Sequence, residues 1–372
     1  MVDAVTRERA AGGIAPARGR DDGGTVNEDH GSRRSGPRTI AEIAEATGFS
    51  RTTVRFVVGG QAERHRIKAE TRARIEAYVA AHGLVVDHTA RSLRTRRSEA
   101  IGLVVPDLAN AFFARLTAEL EERCRATGRV LLTASSHEDP EREAQAVAGL
   151  VGRGVDGLVV APCRPPSAFK GIRRGGRTAL VMVDRAYARS PWPTVVSDNE
   201  AAAHRIAARL IELAGGDVDL LCACPDLPSI ADRLAGFRAA ARGAGVPAIA
   251  DRIHVAAGDE PAAAAAPMAA ILARGRSPRA LMCTSLLMLE GALSELVARF
   301  GRLPEDLVVG TFDHHPLLDA LPVRILSVRQ DEPGIAERAF ATLVAEMAGA
   351  PREAVCHVVP GRLVERGTAV TG

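Results

Sequence analysis

A chain of 372 residues exceeds an ordinary single domain, and with 47% hydrophobic and 25% charged residues it is neither globally disordered nor collagen-like. No apolar run approaches the roughly 18 residues of a membrane span, and the polar, Arg/Asp-rich start lacks a secretion-signal pattern, so a cytoplasmic protein is expected, with no membrane partner. The net charge of +3 hides an uneven distribution: residues 38–98 carry a local +6 and residues 99–372 carry −3. A compact basic module ahead of a longer, slightly acidic remainder is the footprint of a nucleic-acid reader joined to something else.

Residues 1–37 show almost no periodic apolar signal and are expected to form a disordered tail. From Thr39 the texture changes. Thr39-Ile40-Ala41-Glu42 has capping-box spacing, and Ile40, Ile43 and Ala44 recur on one helical face. Gly48 supplies a left-handed stop, Ser50 can cap a second helix from Arg51 to about Val58, and a third is expected from Ala69 to about His82, ending at Gly83. Residues 38–83 therefore read as a helix-turn-helix domain of three short helices. Residues 84–98 form a basic linker with too little apolar surface to pack alone.

After Glu99 short apolar runs alternate with amphipathic helices. Strands are expected at Ile101–Pro106, Val130–Ala134, Gly157–Ala161, Ala179–Val183, Asp219–Cys224, Ile253–Ala256, Ala280–Thr284, Leu307–Thr311 and Ile325–Val328. Helices are expected near Ala114–Thr127, Pro140–Gly152, Glu200–Ala214, Ser229–Ala244, Ala262–Arg274 and Leu287–Phe300. Such alternation implies parallel strands covered on both faces, and the count is too high for one small sheet. The fold class is α + α/β: a helical headpiece and hinge, then two doubly wound α/β subdomains around a cleft. Ligands of such sheets sit beyond the carboxyl ends of the strands.

At the basic end, Ser50, Arg51, Thr52, Thr53 and Arg55 open the second helix, where a recognition helix meets base edges. Arg51 and Arg55 can bond guanine or phosphate; Thr52 and Thr53 can contact phosphate or a thymine methyl. Thr39–Val58, with Thr89-Ala90-Arg91-Ser92-Leu93-Arg94-Thr95 and Ile101-Gly102-Leu103-Val104-Val105-Pro106-Asp107, resembles the headpiece, hinge and first effector-domain strand of the LacI/GalR family of bacterial repressors. The resemblance spans about residues 38–372. It implies a homodimer on a pseudo-palindromic double-stranded operator, with Thr39, Arg64, Ala90 and Arg91 in the DNA-contacting set. It makes Leu93 the hinge residue wedged into the minor groove. Arg55-Phe56 and Gly59 depart from the family pattern, so an operator half-site does not transfer. No leucine-heptad tail is visible, which disfavours a coiled-coil tetramer over a dimer.

Within that family the fructose-responsive branch is the nearest likeness, the catabolite repressor/activator and sucrose-operon repressors. Gly60–Arg66, Val183-Asp184-Arg185, Asp232–Phe237, Leu289-Glu290-Gly291, Phe312–His315 and Gln330-Asp331 carry it. A sugar or sugar-phosphate effector needs hydroxyl partners, an apolar wall and positive charge for any phosphate. Asp107 and Asn110 follow the first strand, Phe112 or Phe113 can form the wall, Arg185 and Asp198 lie near the first crossover, and Gln330 lies near another. The resemblance makes Arg185 and Arg233 effector ligands, with Asp313 accepting from sugar hydroxyls. The expected effector-binding unit is 99–372, with one lobe at about 99–196 and 327–350 and the other at about 197–326 and 351–372.

Other readings are weaker. The GxGxxG match at Gly152–Gly157 follows a helix and precedes a strand, the reverse of a dinucleotide fingerprint. Asp313-His314-His315 resembles part of a DHH-type metal-dependent phosphoesterase motif, without accompanying metal ligands. A periplasmic-type sugar receptor would carry a secretion signal and no basic headpiece. The six cysteines show no CxxC pairing; Cys222 and Cys224 read as buried strand thiols. No catalysis, cofactor or metal is expected.

Overall fold

The computed structural model describes residues 38–84, 97–165, 169, 178–275 and 277–367. The expected tail and Ala90, Arg91 and Leu93 of the expected hinge lie outside the described residues. The chain divides into two units, 1–87 and 88–372.

The first unit holds α1 (Ile40–Thr47), α2 (Arg51–Val58) and α3 (Ala69–His82). Thr39 and Glu42 form the expected reciprocal capping box, Gly48 takes φ 75°, and the Ser50 side chain caps α2 by accepting from the Thr53 amide. Ile43, Ala44, Val54, Val57, Ala62 and Ile75 make a small core, with Ile40, Phe49, Tyr78 and Val79 packed around it. The Arg38 amide donates to the Gly83 carbonyl at 3.1 Å, closing the bundle at its two ends.

The second unit is built on two six-stranded sheets. The first contains β1 (Ala100–Val105), β2 (Val130–Ser135), β3 (Gly157–Val160), β4 (Ala179–Val183), β5 (Thr194–Ser197) and β11 (Cys356–Val359), in the order β11-β5-β4-β3-β1-β2, all parallel. On one face, Phe112, Phe113, Leu116 and Leu120 of α4 (Ala111–Ala126) join Ile335, Ala339 and Leu343 of α10 (Glu332–Met347); on the other lie Val147 and Leu150 of α5 (Pro140–Gly152) with Trp192.

The second sheet contains β6 (Val218–Ala223), β7 (Ile253–Ala256), β8 (Ala280–Cys283), β9 (Val308–Phe312), β10 (Arg324–Arg329) and β12 (Arg362–Arg366), in the order β12-β10-β9-β8-β6-β7. Only β12 runs antiparallel, against β10. One face is covered by α6 (Asn199–Ala214) and α7 (Pro228–Gly243), the other by α8 (Ala265–Leu272) and α9 (Leu286–Phe300). The inner strands of each sheet are buried on both faces, which is why they read as continuous apolar runs rather than alternating ones.

The lobe boundaries differ from those expected. β10 belongs wholly to the second sheet, so the chain leaves it after Arg329 rather than at 327, and Cys356–Val359 pairs with β5 in the first sheet rather than joining the second lobe. The chain thus crosses between lobes at Ser197–Asp198, at Gln330 and at Pro360–Gly361. Pairing of the exposed β5 edge decides the last of these, and four short residues gave no periodic signal for it.

Gly236 sets how closely α6 and α7 approach. A Cβ there would lie 2.2 Å from the Glu200 carbonyl oxygen and 2.8 Å from Ala203 Cβ, both on α6. Backbone cannot yield as a flexible side chain can, so overpacking here forces the helices apart. Gly236→Ala is expected to lower stability by about 2–3 kcal/mol, measured by urea denaturation of the full chain.

Candidate functional site

On the first unit, the exposed side of α2 presents Arg51, Thr52 and Arg55, while Val54 and Val57 turn inward. The Ser50 and Thr53 hydroxyls bond each other at 2.8 Å, so the pair shapes the helix start and Arg51 and Thr52 are left facing solvent. Thr39 is likewise occupied, with Glu42. Arg64 is exposed on the turn between α2 and α3, and among the described residues Arg51, Arg55, Arg64 and Arg66 form no ion pair. Phe56, at a position that departs from the family pattern, stacks on His65 with ring centroids 3.5 Å apart and planes 9° from parallel. That contact ties the turn to α2.

In the second unit, a cavity of about 350 Å³ opens between the lobes. Eight of the nine expected effector residues line it: Asp107, Asn110, Phe112, Phe113, Arg185, Arg233, Asp313 and Gln330. Asp198 does not. Its Oδ1 accepts from the Gly361 amide at 2.7 Å and its Oδ2 from Arg205 at 2.9 Å, and Arg205 also donates to the Gly361 carbonyl, so both oxygens help to join the first and third crossovers. Asn110 also works locally, capping α4 by accepting from the Phe112 amide, and Phe112 and Phe113 meet edge to face at 5.0 Å beneath it.

The lining residues lie beyond the carboxyl ends of the strands, and several hold unusual backbone. His137 and Glu138 after β2, Asp184 after β4, Cys224 after β6 and Asp313 after β9 all have positive φ, between 46° and 67°. Each such non-glycine residue costs roughly 1–3 kcal/mol, and their gathering around one cavity marks it as functional. Sequence reasoning did not select Glu138, Asp184 or Asp259 as site residues, and positive φ is invisible to apolar periodicity. Cys224 lies just past the strand at the cleft, while Cys222 is buried as expected.

Two guanidiniums dominate the cleft. Arg185 is 4% exposed and gives Nη1 and Nη2 to the Glu138 carboxylate, Nη1 also reaching the Pro162 carbonyl at 3.2 Å, while Nε lies 3.4 Å from Asp184. Burial disfavours its charge, but Glu138 and Asp184 outweigh burial and hold its pKa above the ordinary arginine value. Arg233, 5% exposed, stacks 3.9 Å over the Phe312 ring and donates from Nε to Asn199 Oδ1 and from Nη1 to the Thr284 carbonyl. Burial pushes its pKa down, against the pull of Asp313, Asp184 and Asp259.

Asp313 is 8% exposed, and burial raises its pKa despite Arg233 and the hydrogen bond from Gln330 Nε2. Asp259 is raised in the same way while accepting from the Ser285 hydroxyl at 2.8 Å. Carboxyl groups with weakened acidity beside fixed guanidiniums suit a ligand rich in hydroxyls, each of which both donates and accepts. The neighbouring histidines serve the fold: His314 Nδ1 pairs with the Ser327 hydroxyl, and His315 caps the 3-10 helix Pro316–Ala320. Among the described residues no group of three or more His, Cys, Asp or Glu is placed to hold a metal.

The comparisons agree with this architecture. The periplasmic binding protein domain matches residues 101–351. The catabolite repressor/activator of Salmonella typhimurium is 33% identical over 309 residues, 83% of this chain and 92% of the relative, and the sucrose operon repressor of Klebsiella pneumoniae is 32% identical over 87% and 97%. The structure of the Cra transcriptional dual regulator from Pseudomonas putida in complex with fructose 1-phosphate matches with TM-score 0.66 at 28% identity, over 73% of this chain and 99% of that one.

A helix-turn-helix headpiece joined to a two-lobed effector domain defines a DNA-binding transcription regulator rather than an enzyme. The chain belongs to the LacI/GalR family, in the branch of the fructose catabolite repressor/activator and sucrose-operon repressors.

Gln330 links the cleft to the crossovers: its Nε2 donates to Asp313 and its Oε1 accepts from the Ser197 hydroxyl. Gln330→Leu would leave two buried polar groups without partners. It is expected to destabilise the chain by about 2–4 kcal/mol, read from the urea midpoint at unchanged m-value.

Proposed function

We propose that the chain is a homodimeric repressor of carbohydrate-metabolism genes, acting in the cytoplasm on a pseudo-palindromic operator, with operator affinity set by a fructose-class sugar or sugar phosphate in the cleft. Arg51 and Arg55 read bases or phosphates, Thr52 contacts phosphate or a thymine methyl, and Arg64 adds a backbone contact from the turn. Thr39, Ser50 and Thr53 shape the helix starts that present them.

The observation that carries the effector assignment is the meeting, in one cavity, of Arg185 from the first lobe with Arg233 and Asp313 from the second. A ligand bridging those residues is held only when the lobes come together, so it has different affinities for open and closed states. That difference is what control of DNA binding requires. The fructose 1-phosphate in the Pseudomonas putida relative and the fructose and sucrose regulators among the sequence relatives support the sugar class.

Two substitutions separate the two activities. Arg51→Ala is expected to weaken operator binding by about 1–3 kcal/mol per half-site, in a mobility shift at fixed salt, with sugar affinity retained. Arg233→Lys keeps the charge but loses the two-sided hydrogen bonding and the flat stack on Phe312. It is expected to keep DNA binding and to require more than about tenfold more fructose or fructose phosphate for the same change in the shift. An unchanged sugar response from a folded Arg233→Lys protein would contradict the cleft assignment.

A further inference from the structure

The side chain best placed to receive a phosphate in the cleft is already engaged. Arg185 turns both terminal nitrogens onto Glu138, shares Nη1 with the Pro162 carbonyl and faces Asp184 with Nε. The two-point guanidinium–carboxylate pairing is the geometry that a phosphate would use on the same edge. Arg233 offers less, since Nε and Nη1 are taken by Asn199 and Thr284, leaving Nη2 as its one nitrogen without a hydrogen bond among the described residues.

Glu138 is held in this position. It follows His137, both residues have positive φ, and the turn is fixed by amide bonds from Ser136 to Val105 and from His137 to Pro106, each 2.8 Å. Asp139, immediately after, is committed to capping α5 through the Glu141 and Arg142 amides. The Glu138 side chain nevertheless keeps 35% of its surface exposed at the cleft, so an incoming ligand meets its carboxylate directly.

Resting on the fructose-class reading of this same cleft, we propose that Glu138 is a specificity-determining residue, an internal counter-ion that occupies the phosphate-binding edge of Arg185. A neutral sugar enters without competing for that edge. A phosphorylated sugar binds only by displacing the Glu138 carboxylate from Arg185, and then lies beside two unpaired or partly paired carboxylates, Glu138 and Asp184. Like charges in such a site oppose binding strongly. The cleft therefore discriminates between free and phosphorylated fructose through one side chain that need not touch the sugar ring.

The test is calorimetric titration of the full chain, as wild type, Glu138→Gln and Glu138→Ser, with fructose, fructose 1-phosphate and inorganic phosphate at fixed ionic strength. Gln keeps the size and an acceptor oxygen but removes the charge; Ser removes the reach as well. Both variants are expected to bind fructose 1-phosphate about tenfold or more tightly than wild type does, with a smaller change for fructose. Both should also bind inorganic phosphate more tightly than wild type, whose basic headpiece supplies the same background in all three proteins.

An unchanged ratio of the two sugar affinities in both variants would overturn the proposal. Should neither sugar bind any of the proteins while inorganic phosphate still prefers the variants, the fructose assignment fails and the role of Glu138 stands. Should sugars bind with wild-type ratios in both variants, the assignment stands and the role of Glu138 fails.

Discussion

The effector domain depends on one cluster of hydrogen bonds where its three crossovers meet. Asp198 on the first crossover accepts from Gly361 on the third, Arg205 bridges Asp198 to the Gly361 carbonyl at 3.0 Å, and Ser197 donates to Gln330 on the second. Two sheets, each with its own core, would otherwise be linked only by single strands. Tying the strands to one another leaves little freedom except rotation about the tie, which is the motion that opens or closes a cleft. A charged residue at Asp198 is thus worth more to the hinge than to a ligand. Each of its oxygens already accepts a bond that holds the crossovers, one from the Gly361 amide and one from Arg205.

Gln330 extends the same chain of bonds into the cleft through Asp313. Because Asp313 sits at positive φ directly after β9, its carboxyl is positioned by a strand end whose backbone is buried in the sheet. His137 and Glu138, Asp184 and Cys224 are placed by the same device on three other strands. A left-handed residue at the end of a strand turns the chain sharply, and these residues themselves, with Arg185 after Asp184, line the cleft. The expense of that geometry is met by the continuous apolar cores beneath, where residues such as Leu103, Val181, Leu220 and Met282 are fully buried.

Most of the fold was legible in the sequence because doubly covered parallel strands leave unbroken apolar runs. What escaped had physical reasons. β5 and β11 are four residues each, and half of β11 is exposed at the sheet edge, so neither carries a period. α10 opens on Glu332-Pro333-Gly334, where Pro333 and Gly334 argue against a helix interior but are tolerated in the first turn, with Asp331 accepting from the Gly334 amide. Eight of the cleft residues were named from the order of strands and from family likeness. Asp198 was misplaced because adjacency to a crossover does not say whether a carboxylate faces the ligand or another crossover. Glu138 and Asp259 were passed over because neither sits in a motif; the first is assigned by its bonds to Arg185 and the second by its place on the opposite wall.

The headpiece shows the converse, a departure from family pattern whose consequence only the structure displays. Val54 and Val57 fill the small core, and Phe56, though apolar, instead covers His65. Since this hydrophobic core has six buried residues among the described ones, an added ring stack beyond it contributes a meaningful share of what holds the turn in place. The turn carries Arg64 and Arg66, with Arg66 itself at φ 53°. The direction in which those two cations leave the bundle is therefore set partly by a side chain on α2. A change at Phe56 would therefore disturb the turn that carries Arg64 and Arg66 as well as α2 itself.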